Sequence, residues 1–129
     1  MIRGVGTDVV EIVRVERALE RFGERFVNRI LAPEEREHFA GTRLKASHLA
    51  KRFAAKEAFA KAIGTGIRHP FRWHAVAVGR DPRGKPGLVP SADMARHLAA
   101  IGVTASHVSL SDDAGVAMAF VVLEGGEQT

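Results

Sequence analysis

The chain has 129 residues, 46% hydrophobic and 26% charged, which is the composition of a globular protein and excludes a disordered or fibrous one. Cysteine is absent, so thiol catalysis, disulfides and cysteine-based zinc sites are excluded together. With 19 basic against 15 acidic residues the formal charge is +4, carried mostly by arginine, the side chain suited to phosphate and carboxylate forks. An anionic partner is expected, whether nucleic acid, phosphorylated metabolite or acidic protein.

No repeat, low-complexity tract or linker divides the sequence, so residues 1–129 are expected to form one domain with its own core. Ile2 to Val10 is valine-rich and glycine-bearing and reads as a strand. From Arg14 to about Phe22, Val15, Leu19 and Phe22 fall at helical spacing, with Phe26 continuing the pattern past an interruption at Gly23. Pro33 with Glu34 and Glu35 starts a helix that Gly41 closes, and Thr42 is placed to cap the next one. That next helix is long and alanine-rich, from about Arg43 to Ile63, with Gly64 as its stop.

Trp73 to Val78 reads as a strand, and Asp81-Pro82-Arg83-Gly84 as a turn. Lys85 to Val89, bounded by prolines, suits a sheet edge. Ser91 caps a helix carrying Met94, Leu98 and Ile101, which Gly102 ends. Strands His107 to Ser111 and Val116 to Leu123 follow, joined by Asp112-Asp113-Ala114-Gly115, and a frayed tail begins at Gly125. The order predicts an α+β fold: a mostly antiparallel sheet packed against helices, one of them long and central. The longest uncharged apolar run, Ala114 to Leu123, is half of a membrane span. A soluble, cytoplasmic protein without membrane attachment is expected.

Three places concentrate chemistry. In the first strand, alternation puts Ile2, Gly4, Gly6 and Asp8 on one face. Glycines there invite a close backbone approach, and Asp8 is then either a cap or a carboxylate placed to hold a cation; Glu11 follows soon after. In the long helix, apolar side chains point in nearly every direction, so Arg52, Lys56, Glu57 and Lys61 are partly buried and need partners. Arg52 and Lys56 repel at i,i+4 unless an anion lies beside them, whereas Glu57 and Lys61 at the same spacing suit a simple exposed pair. Two carboxylates from separate elements with cations nearby also suit a magnesium–phosphate site. Gly64-Thr65-Gly66 supplies flexible backbone close by, or merely an ordinary helix stop.

The third place is a stripe of Arg14, Arg17, Arg21 and Arg25, sharing one helical face if the helix runs past Gly23. Flanking Glu16, Glu20 and Glu24 suit a solvated surface; an acidic partner is the functional alternative. Other signals fail. Gly79 to Lys85 imitates a phosphate loop, but Pro86 stands where the hydroxyl belongs and excludes the helix that must follow. The histidines lack zinc spacing, and His107 opens a strand. A basic nucleic-acid module rests on charge alone, and 6% aromatic residues argue against base-stacking surfaces.

Gly4-Val5-Gly6-Thr7-Asp8-Val9-Val10-Glu11-Ile12, then Arg52-Phe53-Ala54-Ala55-Lys56-Glu57-Ala58-Phe59-Ala60-Lys61-Ala62 continued by Gly64-Thr65-Gly66-Ile67, resemble the two signatures of the holo-[acyl-carrier-protein] synthase family. This is the small bacterial type of 4'-phosphopantetheinyl transferase. Gly84-Lys85-Pro86 and His107-Val108-Ser109-Leu110-Ser111 fit its later features, so the likeness runs from about Ile2 to Leu123.

The resemblance implies transfer of 4'-phosphopantetheine from coenzyme A to a serine of apo-acyl carrier protein, in fatty acid biosynthesis or polyketide assembly, releasing adenosine 3',5'-bisphosphate. It implies magnesium held by Asp8 and Glu57, and coenzyme A phosphates met by Lys61. Arg52, Lys56, Gly64, Thr65, Gly66 and His107 lie in segments that meet the nucleotide. It further implies a homotrimer with active sites between subunits, and docking of the acidic carrier helix on Arg14, Arg17, Arg21 and Arg25. Many members have a histidine directly after the Ser-Leu-Ser-like segment; here Asp112 and Asp113 follow.

Overall fold

The computed structural model describes residues 1–126. Strand β1 (Ile2–Glu11) leads into helices α1 (Ile12–Phe22), α2 (Glu24–Ile30), α3 (Pro33–Gly41) and α4 (Lys45–Ala62). Then come β2 (Val76–Arg80), β3 (Pro86–Pro90), α5 (Ala92–Ala100), β4 (Val103–Asp113) and β5 (Val116–Gly125). An antiparallel sheet of order β1-β5-β4 carries α4 across one face, and β2-β3 forms a separate antiparallel hairpin. The fold is the α+β arrangement expected, with the long alanine-rich helix at its centre. No helix of the described residues is long and apolar enough to cross a membrane.

The centre is built on missing side chains. A Cβ at Gly6 would lie 1.8 Å from the Ala58 carbonyl oxygen, and one at Gly4 2.0 Å from that of Ala62. Glycine alone lets β1 and α4 touch backbone to backbone. Ala54, Ala55, Ala58, Ala60 and Ala62 are buried around the same helix, with Val108, Ala119, Val121 and Leu123 of the sheet beneath. A bulge between Ile2 and Gly4 breaks the alternation, so Ile2 is exposed and only Gly4, Gly6 and Asp8 continue the inner face.

Several boundaries differ from expectation. Gly23 (φ +56°) ends α1, and α2 starts afresh at Glu24, so the arginine stripe is divided, Arg25 standing on a different helix from Arg14, Arg17 and Arg21. Thr42 does not cap α4. It ends α3, whose carbonyls at Phe39, Ala40 and Thr42 receive the Lys45 ammonium instead. Ser91 does cap α5, accepting the Met94 N–H.

β4 starts four residues before His107, because its partner β5 is equally long and their ladder runs from Val103–Gly125 to Asp113–Val116. Ala114 and Gly115, both at positive φ, make the two-residue turn between them. Gly125 is no tail residue, since it exchanges backbone hydrogen bonds with Met1; the expected tail beyond 126 lies outside the described residues.

Candidate active site

Asp8 ends the inner, glycine-cleared face of β1, and Glu57 projects from α4 on the same side. Each neighbours a cavity of about 400 Å³ whose other walls include Glu11, Arg14, Val15, Phe26 and Phe53. Burial first, then the charge of Asp8 and a hydrogen bond shared with it, push the Glu57 carboxyl up to about 6. Lys61, one turn further along α4, donates to Asp8 Oδ1 at 3.3 Å and to the Thr7 carbonyl at 2.9 Å. The pairing is therefore Lys61 with Asp8, across two elements, rather than the simple i,i+4 pair of Glu57 and Lys61.

Two acids thus meet with one largely exposed ammonium between them and the solvent. Such a donor set, two half-buried carboxylates against an ammonium that is largely exposed, fits a hard divalent cation. No group of three or more histidine and carboxylate side chains suited to a metal occurs among the described residues. A cation held by this pair alone would keep most of its shell for water or substrate oxygens.

The remaining expected contacts separate into those near this site and those away from it. Gly64 and Gly66, both at positive φ, carry the chain past Lys61 with open space where side chains would stand, and Thr65 Oγ1 donates to the Gly66 carbonyl. Lys56 is elsewhere. Its ammonium is fully buried and donates to Glu35 Oε1, Ile30 O and Trp73 O, which leaves nothing for a nucleotide. Burial lowers its pKa against the opposing pull of Glu35. Arg52 also faces inward, away from Glu57, beside the same acid. Glu35 is the anion that Lys56 required, and no local pattern could reveal it, because it comes from α3; its hydrogen bonds go to Lys56, Ala32 and Val78 rather than to Arg52.

His107 stands on the outer face of the sheet, opposite Val122 and beside Glu124, with which its Nε2 is in contact. Asp8 faces the other way, so one chain does not bring His107 to the two acids. Asp112 has a structural partner set of its own, Lys51 at 3.2 Å and the Ser47 hydroxyl at 3.1 Å, which holds its carboxyl below the usual range. Arg14, expected only for docking, also reaches the carboxylate cavity. The walls Phe26 and Phe53 carried no site role in the sequence; the signal for Phe53 was its i,i+4 relation to Glu57.

The family model of the 4'-phosphopantetheinyl transferase superfamily matches residues 4–121. The chain belongs to that superfamily. Within it the similarity is to the holo-[acyl-carrier-protein] synthases. The protein of that name from Aromatoleum aromaticum is 52% identical over 124 residues, 96% of this chain and 98% of the relative. The crystal structure of the synthase from Neisseria meningitidis superposes with a TM-score of 0.92 at 43% identity, covering 96% of this chain and 99% of the other. The synthase from Bacillus anthracis, solved in complex with coenzyme A (3',5'-ADP), gives 0.82 at 37% identity, covering 98% and 99%. The chain is thus a phosphopantetheinyl transferase of the holo-[acyl-carrier-protein] synthase type.

Proposed function

We propose that the protein moves the 4'-phosphopantetheine arm of coenzyme A onto a serine of apo-acyl carrier protein, with magnesium held by Asp8 and Glu57. The observation that carries this reading is the meeting of those two carboxylates, from β1 and α4, with Lys61 alongside. Magnesium bound there would neutralise diphosphate oxygens and make the phosphorus a better electrophile.

Lys61, largely exposed at the end of the site, is free to swing from Asp8 to a phosphate oxygen and stabilise charge on the leaving group. Serine oxygen forms the new bond to phosphorus, adenosine 3',5'-bisphosphate leaves, and the serine proton needs a base. Glu57, beside Asp8, would take that proton directly or through one water. Phe26, Phe53 and Val15 give the pocket an apolar side, suited to the pantetheine chain.

The carrier protein docks, in this reading, on Arg14, Arg17 and Arg21 of α1 with Arg25 of α2, all exposed. The active unit is a homotrimer. Val5, Val9, Met118 and Phe120 lie together, exposed, on the outer face of β1 and β5, an apolar patch of the kind that marks an interface. His107 shares that face, so a partner seated on it brings a histidine of one chain toward the acids of another. Gly64, Thr65 and Gly66 then contact the nucleotide beside Lys61.

Incubation with coenzyme A, magnesium and apo-acyl carrier protein should add the phosphopantetheine mass to the carrier. A chelator should stop the transfer, and light scattering should give three chains per particle. Carrier of unchanged mass, with several carriers tried, would refute the transfer.

A further inference from the structure

The side of α4 away from Glu57 holds a second concentration of positive charge. Arg52 precedes Glu57 by five residues, about 140° around the helix, and is only 2% exposed. A guanidinium has five N–H donors. Among the described residues this one makes a single long hydrogen bond, 3.4 Å from Nη1 to the His48 carbonyl. It borders a cavity of about 290 Å³ between α3 and β2, with Arg80, His38 and Glu34 on the other walls. Glu35 reaches the same cavity, but both its oxygens are engaged, Oε1 by Lys56 and the Ala32 N–H, Oε2 by the Val78 N–H. The adjacent His48 is buried with Nε2 unpaired.

A buried cation with unused donors is costly unless something pairs with it. Glu34 is the one other acid at this cavity, and it is exposed, whereas Arg80 adds a second guanidinium that uses Nη1 on the Gly84 carbonyl and leaves the rest of its fork open. Burial, then the charge of Arg80, lower the Arg52 pKa to about 10 against the opposing pull of Glu35. Such a fork pair selects a doubly charged oxyanion over a carboxylate, since phosphate oxygens accept from both guanidinia at once. The volume, at the lower end for ligand pockets, suits the phosphoryl group rather than a nucleotide.

We propose that this cavity is a phosphoryl-dianion site, in which Arg52 from within and Arg80 from the solvent side, with His38, grip an anion that ties α3 and β2 to α4. The inference does not depend on the transfer reaction, because the site lies across α4 from Asp8 and Glu57.

Thermal unfolding of the full chain with increasing inorganic phosphate, against chloride at matched ionic strength, tests it. Phosphate should give a saturable rise in Tm that chloride does not. Arg80→Ala should weaken the apparent affinity by about tenfold or more, Arg52→Met should remove the effect, and Lys61→Gln should retain it. A parallel titration with glycerol 3-phosphate separates the sources: a matching rise assigns a phosphomonoester, and none assigns free phosphate. Absence of any saturable rise overturns the site, as does a rise that Arg52→Met keeps and Lys61→Gln abolishes. Should Arg52→Met fold poorly, Arg80→Ala decides alone, and unchanged affinity in that variant is equally fatal.

Discussion

Lys56 Nζ sits 2.6 Å from Glu35 Oε1 in a place that solvent hardly reaches. The pair joins α3 to α4, and its further bonds to Ala32, Val78, Ile30 and Trp73 lock the loop before α3 and the β2 strand to the same helix. Glu57 is the next residue along α4, so this buried pair sets the helix that presents the carboxylate.

Removing one partner leaves the other charge stranded. Glu35→Gln or Lys56→Met should each cost about 3–5 kcal/mol of stability, read as a lower urea midpoint. The double variant Glu35→Leu with Lys56→Met should recover part of that loss, since no unpaired charge remains. An intact midpoint in either single variant would show that the pair carries no weight.

The close approach of β1 to α4 admits no methyl group. Gly6→Ala places a Cβ 1.8 Å from the Ala58 carbonyl oxygen, and backbone cannot swing aside as a side chain does. Stability should drop by about 3 kcal/mol or more, and transfer activity should fall with it, because Asp8 moves away from Glu57. Gly87→Ala, where an added Cβ meets nothing within 4 Å, should leave the melting temperature almost unchanged.

In the proposed reaction Asp8 and Glu57 serve chemistry, and burial with the nearby Asp8 raises the cost of the Glu57 charge. Asp8→Asn and Glu57→Gln should therefore keep or slightly raise Tm while lowering kcat by at least about 100-fold. A variant that lost activity and folding together would point to a structural role instead.

How much of this could be read in advance depends on the range of each signal. The glycine face of β1, the all-round apolar helix and the Ser91 cap are local patterns, and they were legible. The cluster of Asp8, Glu57 and Lys61 was legible as a set through the two family signatures, since locally Asp8 also suited a cap and Glu57 with Lys61 a simple exposed pair. Their pairing was not, since Lys61 crosses to Asp8 only when β1 and α4 touch. Lys56 was misassigned to the nucleotide for the same reason: its partner Glu35 is 21 residues away and belongs to a helix start that explains its own acid. The arginine stripe depended on the helix running past Gly23, whose positive φ ends α1.

The divided stripe sharpens the docking test. Arg14 lines the carboxylate cavity, so a change there would mix docking with chemistry. Arg17 and Arg21 are exposed on α1 and line no part of it. Arg17→Glu with Arg21→Glu should raise KM for the carrier protein by about tenfold or more, with KM for coenzyme A unchanged and the defect growing smaller in high salt. Equal effects on both substrates would separate these arginines from docking.

His48 makes the fold sensitive to acid. Burial, then the charges of Arg52, His38, Arg80 and Lys51 around it, lower its pKa from 6.5 to about 3. The unfolded chain therefore takes up a proton near pH 6.5 that the folded chain refuses until about pH 3. Between those values the unfolded state binds more protons, so stability rises with pH, is fully present above the unfolded pKa and is lost on acidification. His48→Gln removes this titration and keeps a polar side chain of similar reach. The stability of the parent chain relative to His48→Gln should consequently shrink as the buffer is taken from pH 7.5 to pH 4.5, about one to two units either side of the ordinary histidine value. Urea midpoints measured on both proteins across that range give the comparison directly, and parallel curves would mean that His48 accepts its proton in the folded state after all.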